Sequence, residues 1–302
     1  MKEKIGNFTF CLFCFICIFF IFKNNKEVAA IIIEATNLFL TKVFVSLFPM
    51  FIINDILINA NVPYYFTRLC NRFFIKIFHT NGLGAYVFFM SLISGSPSNA
   101  YILKGLVEEE KLTEEEASHL LTFTFFSNPL FLTLMLSSMF SMKETIKIIL
   151  IHYLTNVIIG ILMRKKAPPM STNNQKEKIK KANGSLTKSI NKAVSTLLMI
   201  LGTITFYMLI TYIFTTLLGK SALLKTGISG FLEITNGLNN LALLNISTKL
   251  KEMIAIAIIS FGGLSIHTQI KAILEDTQIH YRSFLKGRIM HACISVILIM
   301  IF

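Results

Sequence analysis

Residues 91–103 read SLISGSPSNAYIL. The run before them, GAYVFFM (84–90), is continuously apolar, and YIL at their end begins another apolar turn. Between lie Ser94, Gly95, Ser96, Pro97, Ser98 and Asn99, two helix breakers among four small polar residues. Inside a bilayer such an interruption is tolerated only where protein or a water-filled cavity supplies the missing hydrogen bonds. Ser96 before Pro97 reads as an N-cap followed by a first helical position, which predicts a helix from Pro97 toward Val107. The N-terminus of that helix would carry unpaired N–H groups and a partial positive charge, a setting suited to a carboxylate or phosphate oxygen.

The membrane setting follows from composition. Of 302 residues 54% are hydrophobic and only 15% charged, against about 45–50% and about 25% in a soluble domain. The apolar residues come in blocks at 8–22, 146–163, 193–218, 253–264 and 294–302. A span needs roughly 20 mainly apolar residues, and these runs lack the ten-residue alternation of a membrane barrel. The first block follows Lys2 and Lys4 but KNNKE (23–27) offers no small-residue cleavage site, so it reads as a retained first span.

Net charge is +13, concentrated in RKKAPPMSTNNQKEKIKKANGSLTKSINK (164–192), which holds nine Lys/Arg and one Glu. This is a solvated linker by composition, and Lys/Arg bias places it in the cytoplasm. It has no aromatic interleaving for nucleic acid and suits anionic headgroups instead. It divides the chain into an N-terminal half (1–163) and a C-terminal half (193–302). With Lys2 and Lys4 inside, the linker also lands inside only if one segment of 82–140 enters and leaves by the same face. The interrupted stretch at 94–99 is the natural turn.

The interruption recurs. FFSNPLFL (125–132) sets Asn128 before Pro129, again cap then first turn. AIAIISFGGLSIHTQIKAIL (255–274) breaks at Gly262 and Gly263 and then carries Ser265, His267 and Gln269. FLEITNGLNNLALL (231–244) holds Glu233 and Asn236, and its counterpart in the first half is read in LFPMFIINDILINA (47–60), with Pro49, Asn54 and Asp55. Interrupted apolar segments in corresponding places of two halves point to a transport site. For any one residue a plainer role competes: Gly and Ser permit close helix packing, His267 can bond a neighbouring carbonyl, and Glu233 and Asp55 can lie at interfaces facing water. Four breaks together favour the site.

Other motifs carry less. Cys11, Cys14 and Cys17 lack the fourth cysteine and proline of an iron–sulfur run and read as small fillers on one helix side. Five cysteines make no disulfide framework. EEEKLTEEEASHL (108–120) contains a T-x-x-E capping box at Thr113–Glu116 and reads as a short surface helix. Walker A, HExxH, GxSxG and zinc spacings are absent from the sequence, which argues against an enzyme and against a cofactor or metal site. Transport would then be passive or driven by an ion gradient.

The stretch SGSPSNAYILKGLVEEEKLTEEEASHLLTFTFFSNPLF (94–131) resembles the hallmark of the sporulation integral membrane proteins of the YlbJ type, and FLEITNG (231–237) with SFGGLSIHTQ (260–269) resembles that family's second signature. The likeness runs from about residue 35 onward; the first span and the basic linker carry no mark of it. Asn128 is a departure, standing where a Gly or another small residue is the family's habit. The resemblance implies the nucleoside-recognition or gate group, with inverted-repeat membrane folds, and a stage V role in endospore formation. It further implies passage of dipicolinate, a small planar dicarboxylate, across the outer forespore membrane.

The expectation is thus an all-α, polytopic membrane protein of two inverted halves with discontinuous, re-entrant helices. It would sit in the inner membrane, N-terminus and linker cytoplasmic, and carry a small anionic solute by alternating access. The residues assigned to solute are Ser94, Gly95, Ser96, Pro97, Ser98, Asn99, Asn128, Pro129, Glu233, Asn236, Gly262, Gly263, Ser265, His267 and Gln269. The lipid bilayer is a partner, a coupling ion and a homo-oligomer are compatible, and no nucleic acid is required. The rival expectations are a non-transporting scaffold for spore assembly and a nucleoside-type carrier.

Overall fold

The structure is a computed structural model. It describes residues 2–167, 185–218 and 221–302, the side chains of residues 2–10 and 13 excepted. Residues 168–184, most of the basic linker, lie outside the described residues.

Every regular element among the described residues is helical. Helices α1 (Lys2–Lys23) and α2 (Asn25–Leu38) open the chain, and α2 continues through a π-helical turn, Phe39–Phe44, into α3 (Val45–Asn59). Next come α4 (Val62–Phe78) and α5 (Gly82–Ser94), bent 91° to each other. Then follow α6 (Ser98–Glu108), α7 (Glu114–Leu121), α8 (Pro129–Leu136) and α9 (Met142–Met163), which ends in a 3-10 turn at Arg164–Lys166. Helix α10 (Leu186–Leu218) begins inside the segment read as linker. The chain closes with α11 (Ala222–Leu232), α12 (Ile234–Ala242), α13 (Thr248–Phe261), α14 (Gly263–Ile273) and α15 (Tyr281–Ile301).

Among the described residues five stretches are long and apolar enough to cross a bilayer: Asn25–Asn59, Met142–Lys166, Leu186–Leu218, Thr248–Ile273 and Tyr281–Ile301. The bent pair α4–α5 makes a sixth if it counts as one span. These helices turn large side chains outward, with Leu150 61%, Leu198 61% and Ile297 57% exposed. Such a surface would associate in water but matches lipid tails. The chain is a multi-pass α-helical membrane protein.

Two expectations change. LFPMFIINDILINA is not an interruption: Pro49 lies inside α3. The irregularity sits upstream, where the π turn widens the helix just before Val45, the residue whose carbonyl Pro49 leaves without its usual donor. The acidic helix is not merely a surface feature. The capping box forms, Thr113 Oγ1 accepting from Glu116 N–H at 3.2 Å and Glu116 Oε2 accepting from Thr113 N–H at 3.0 Å. Yet residues 116–121 are all buried, packed against α6 and α15. Glu108–Glu110, Thr113 and Glu115 face out.

Glycine sets two of the closest contacts. A Cβ on Gly237 of α12 would lie 2.2 Å from the Gly230 Cα of α11, and one on Gly287 of α15 would lie 2.1 Å from the Thr122 carbonyl oxygen. Bare backbone at such positions lets helices approach where lipid offers no hydrophobic drive. At one end a chain of charges crosses between the halves: Asp55–Lys192 at 3.7 Å, Lys192–Glu108 at 3.5 Å, Lys104–Glu108 at 3.9 Å and Lys104–Asp276 at 3.4 Å. Asp55 also accepts from the Ser189 hydroxyl at 2.5 Å.

Gly287→Ala should lower unfolding free energy by about 1–3 kcal/mol through overpacking. Gly202→Ala in α10 should be neutral or stabilising by up to about 1 kcal/mol, since a Cβ there meets nothing within 4 Å. Thermal unfolding in one detergent distinguishes the two.

Candidate functional site

The four breaks meet. A cavity of about 60 Å³ is lined by Ser96 and Pro97 from the first, Ser127 and Asn128 from the second, Glu233, Ile234 and Thr235 from the third, and Ser265, Ile266 and Gln269 beyond the fourth. Val43, Ser46 and Leu47 of the π turn and α3, Phe131 of α8, and Ile200 and Ile204 of α10 complete the wall.

Each break is built by its own chemistry. At the first, Gly95 adopts φ +78° and its N–H bonds the Ser91 carbonyl at 2.8 Å. The Ser98 N–H then bonds the Gly95 carbonyl at 3.0 Å, so α6 starts at Ser98 with Pro97 in the cap position. This corrects the expected Ser96 cap: with Gly95 closing that turn, Ser96 is left outside the helix and its hydroxyl, buried, has no partner among the described residues. At the second, Asn128 is the cap foreseen, its Oδ1 accepting from Leu130 N–H at 2.9 Å and Phe131 N–H at 3.2 Å, with Pro129 in the first turn. At the third, Glu233 caps α12, its Oε2 accepting from Asn236 N–H at 2.7 Å and its Oε1 from the Thr235 hydroxyl at 3.1 Å. At the fourth, Gly262 and Gly263 take φ +93° and +64°, left-handed values open to glycine.

The breaks also lock in pairs. Gly95 abuts Asn128, where a Cβ would come within 2.5 Å of the Asn128 nitrogen. Gly263 abuts Glu233, a Cβ there lying 3.3 Å from the Glu233 Cα. FFSNPLFL thus stands against the first break as FLEITNG stands against the fourth.

The remaining assigned residues stand back from the cavity. Ser94 is buried and donates to the Met90 carbonyl at 2.6 Å. Ser98 and Asn99 are fully buried in the first turn of α6, their polar side-chain atoms without a partner among the described residues. Asn236 accepts from Asn240 Nδ2 at 3.4 Å. His267 takes the plainer of its two roles. Its Nε2–H donates to the Phe261 carbonyl at 3.0 Å, which leaves Nδ1 to accept from the Tyr281 hydroxyl at 2.7 Å.

A second buried polar group went unread in the sequence. Residues 124–128 form a buried stretch without regular secondary structure between α7 and α8. His152 Nε2 accepts from Ser127 N–H at 3.1 Å, Tyr153 donates to the Ser127 carbonyl at 3.1 Å, and Asn156 donates to the Phe125 carbonyl at 2.5 Å. Arg288, fully buried, donates to the Ser260 carbonyl and to Asn156 Oδ1, each at 3.3 Å, with its guanidinium 4.0 Å from the Phe125 ring centre. The one sequence signal for it was an arginine inside an apolar 21-residue helix, where a charge needs a partner.

The sporulation integral membrane protein YlbJ of Bacillus subtilis (strain 168) is 28% identical over 300 residues, covering 86% of this chain and 73% of that protein. The chain is a homologue of YlbJ. The resemblance carried by residues 94–131, 231–237 and 260–269 is thereby supported, and YlbJ is itself described as integral to the membrane. Neither a family model nor a solved structure matches the chain.

Asn128→Ala should cost about 1 kcal/mol from the lost cap, and more because Nδ2 also donates to the Ile93 and Ser94 carbonyls at 3.3 Å. Asn128→Ser, which can cap but cannot reach back with an amide, should recover part of the loss. Unfolding midpoints of the two variants in detergent provide the check.

Proposed function

We propose that the chain is a carrier, not an enzyme, which moves a small anionic solute across the membrane by alternating access at the cavity where the breaks converge. The observation that carries this is electrostatic. Helices α6, α8, α12 and α14 all present their N-terminal turns to one cavity, and each such end bears about half a positive charge. Two of them, α6 and α14, have no side-chain cap, although in α6 the Ser98, Ala100 and Tyr101 N–H groups turn back to the Gly95 and Pro97 carbonyls. One belongs to each half of the chain. The Ser96 hydroxyl adds a donor whose hydrogen-bonding capacity the described residues leave unused.

The solute consistent with this field and with the homologue's part in sporulation is dipicolinate, leaving the mother cell through the outer forespore membrane. The cavity here admits a few water molecules, less than a planar dicarboxylate, so the loaded state opens further. In this reading the N-terminus and basic linker face the cytoplasm, and the path is lined by Ser96, Asn128, Thr235, Ser265 and Gln269.

The test is uptake of labelled dipicolinate into proteoliposomes. Ser96→Leu and Ser265→Leu place a branched chain in the cavity and should each slow uptake by about tenfold or more, the equivalent of about 1.4 kcal/mol. Deletion of 168–184 should leave uptake standing. Folded protein that moves neither dipicolinate nor other carboxylates would overturn the proposal: nucleoside uptake would favour the nucleoside carrier, and dependence of sporulation on 168–184 alone would favour the scaffold.

A further inference from the structure

We infer that Glu233 carries a proton across with each solute molecule, so that transport is proton-coupled. This rests on the carrier reading above and adds the coupling ion and its site.

The inference begins with the charge inventory of the cavity. Among the described residues Glu233 is the one ionisable residue lining it, and no described lysine, arginine or histidine lines it. The charged groups on the elements packed around α12 are engaged elsewhere or turned out. On α11, Lys225 is exposed. On α13, Glu252 pairs with Lys147 at 2.5 Å and Lys251 donates to the Ala242 carbonyl at 3.1 Å, both at the helix end far from the break; Lys249 beside them is exposed. On α14, His267 is bonded on both ring nitrogens and Lys271 lies over the Tyr281 ring. Lys42 of the π turn has its Nζ 3.4 Å from Met135 Sδ. Helix α8 has no ionisable residue, Lys188 and Lys192 of α10 lie two to three turns below its cavity residues, and Arg288 of α15 is held by Ser260 and Asn156.

An anionic solute drawn in by four helix N-termini therefore meets one fixed carboxylate and no side-chain cation. Like charges brought together in a poorly hydrated site repel strongly, and a nearby anion favours the protonated form of a carboxyl. Binding of solute and binding of a proton are then mutually strengthening, which by linkage is coupling.

The local geometry supports both states of the carboxyl. When ionised, Glu233 accepts from the Asn236 N–H and from the Thr235 hydroxyl. When protonated, its O–H is a donor for the solute, and the Thr235 hydroxyl, which can accept as well as donate, turns without any movement of backbone. Gly263 backs the Glu233 Cα at 3.3 Å from where a Cβ would stand, so the carboxyl sits at the seam between two breaks, where a change of charge is felt by both.

The experiment uses purified full-length protein in vesicles with the membrane potential clamped, labelled dipicolinate as solute and a pH dye in the lumen. The wild type should accumulate solute in response to a proton gradient, up to about tenfold per pH unit for one coupled proton, with lumenal acidification that tracks uptake. Glu233→Gln, neutral at every pH, should show exchange that no longer varies with pH, and the gradient should drive no accumulation and no acidification. Glu233→Asp, which keeps a titrating group, should keep the response to the gradient even if exchange is slowed, and so guards against a folding artefact. Wild-type exchange without any response to the proton gradient, accumulation driven instead by sodium at fixed pH, or a Gln variant that still accumulates would each overturn proton coupling and leave the carrier standing. Absence of exchange of any tested solute by folded wild type would overturn the carrier reading, and the coupling with it.

Discussion

A helix that stops in the hydrocarbon leaves its last carbonyls with no water to turn to. That constraint organises the interior of this protein. The end of α5 is satisfied from another break, by the Asn128 amide reaching the Ile93 and Ser94 carbonyls. The end of α13 is satisfied by side chains brought from farther along the chain, Arg288 on the Ser260 carbonyl and His267 on that of Phe261. The irregular residues 124–128 draw on His152, Tyr153 and Asn156 of α9 in the same way. The buried polar groups that look anomalous in a membrane core are largely the solution to this one problem.

A directional field follows. The carbonyl ends of the broken helices are covered by protein donors, while the amide ends face the cavity and two of them have no side-chain cap. Among the described residues no basic side chain lines the cavity, and Glu233 is its one ionisable residue.

Most of the breaks were legible in the sequence because they are made by residues with local, unambiguous chemistry. Asn128 before Pro129 and the Gly262–Gly263 pair act within a turn of themselves, and apolar neighbours make them conspicuous. Pro49 misled because a membrane helix can absorb a proline by widening upstream, and nothing in residues 47–60 announces a π turn at 39–44. Ser96 misled by one residue because the turn is closed by Gly95 rather than by a side-chain cap. Arg288 was hidden for a different reason: its partners Ser260 and Asn156 lie 28 and 132 residues away, and no periodicity encodes such a pairing. The convergence of the breaks was inferable as a hypothesis, but Ser127 and Thr235 enter the cavity wall only through the packing of whole helices.

The chain of charges at Asp55, Lys192, Glu108, Lys104 and Asp276 has a mechanical consequence. Counting about 1.5 Å of rise per residue, four of these lie about 10–12 Å along the chain from a cavity residue, Leu47 to Asp55, Pro97 to Lys104, Ile200 to Lys192 and Gln269 to Asp276, and Glu108 lies one turn beyond Lys104. The two halves are thus joined at this end by partly exposed ion pairs, worth little singly and screened by salt. At the cavity itself, the glycine contacts that lock the breaks are steric and indifferent to salt. Ionic strength therefore acts on the protein as a selective softener: it slackens the charged end, where the halves meet through side chains, and leaves the seam of backbone at the cavity as stiff as before.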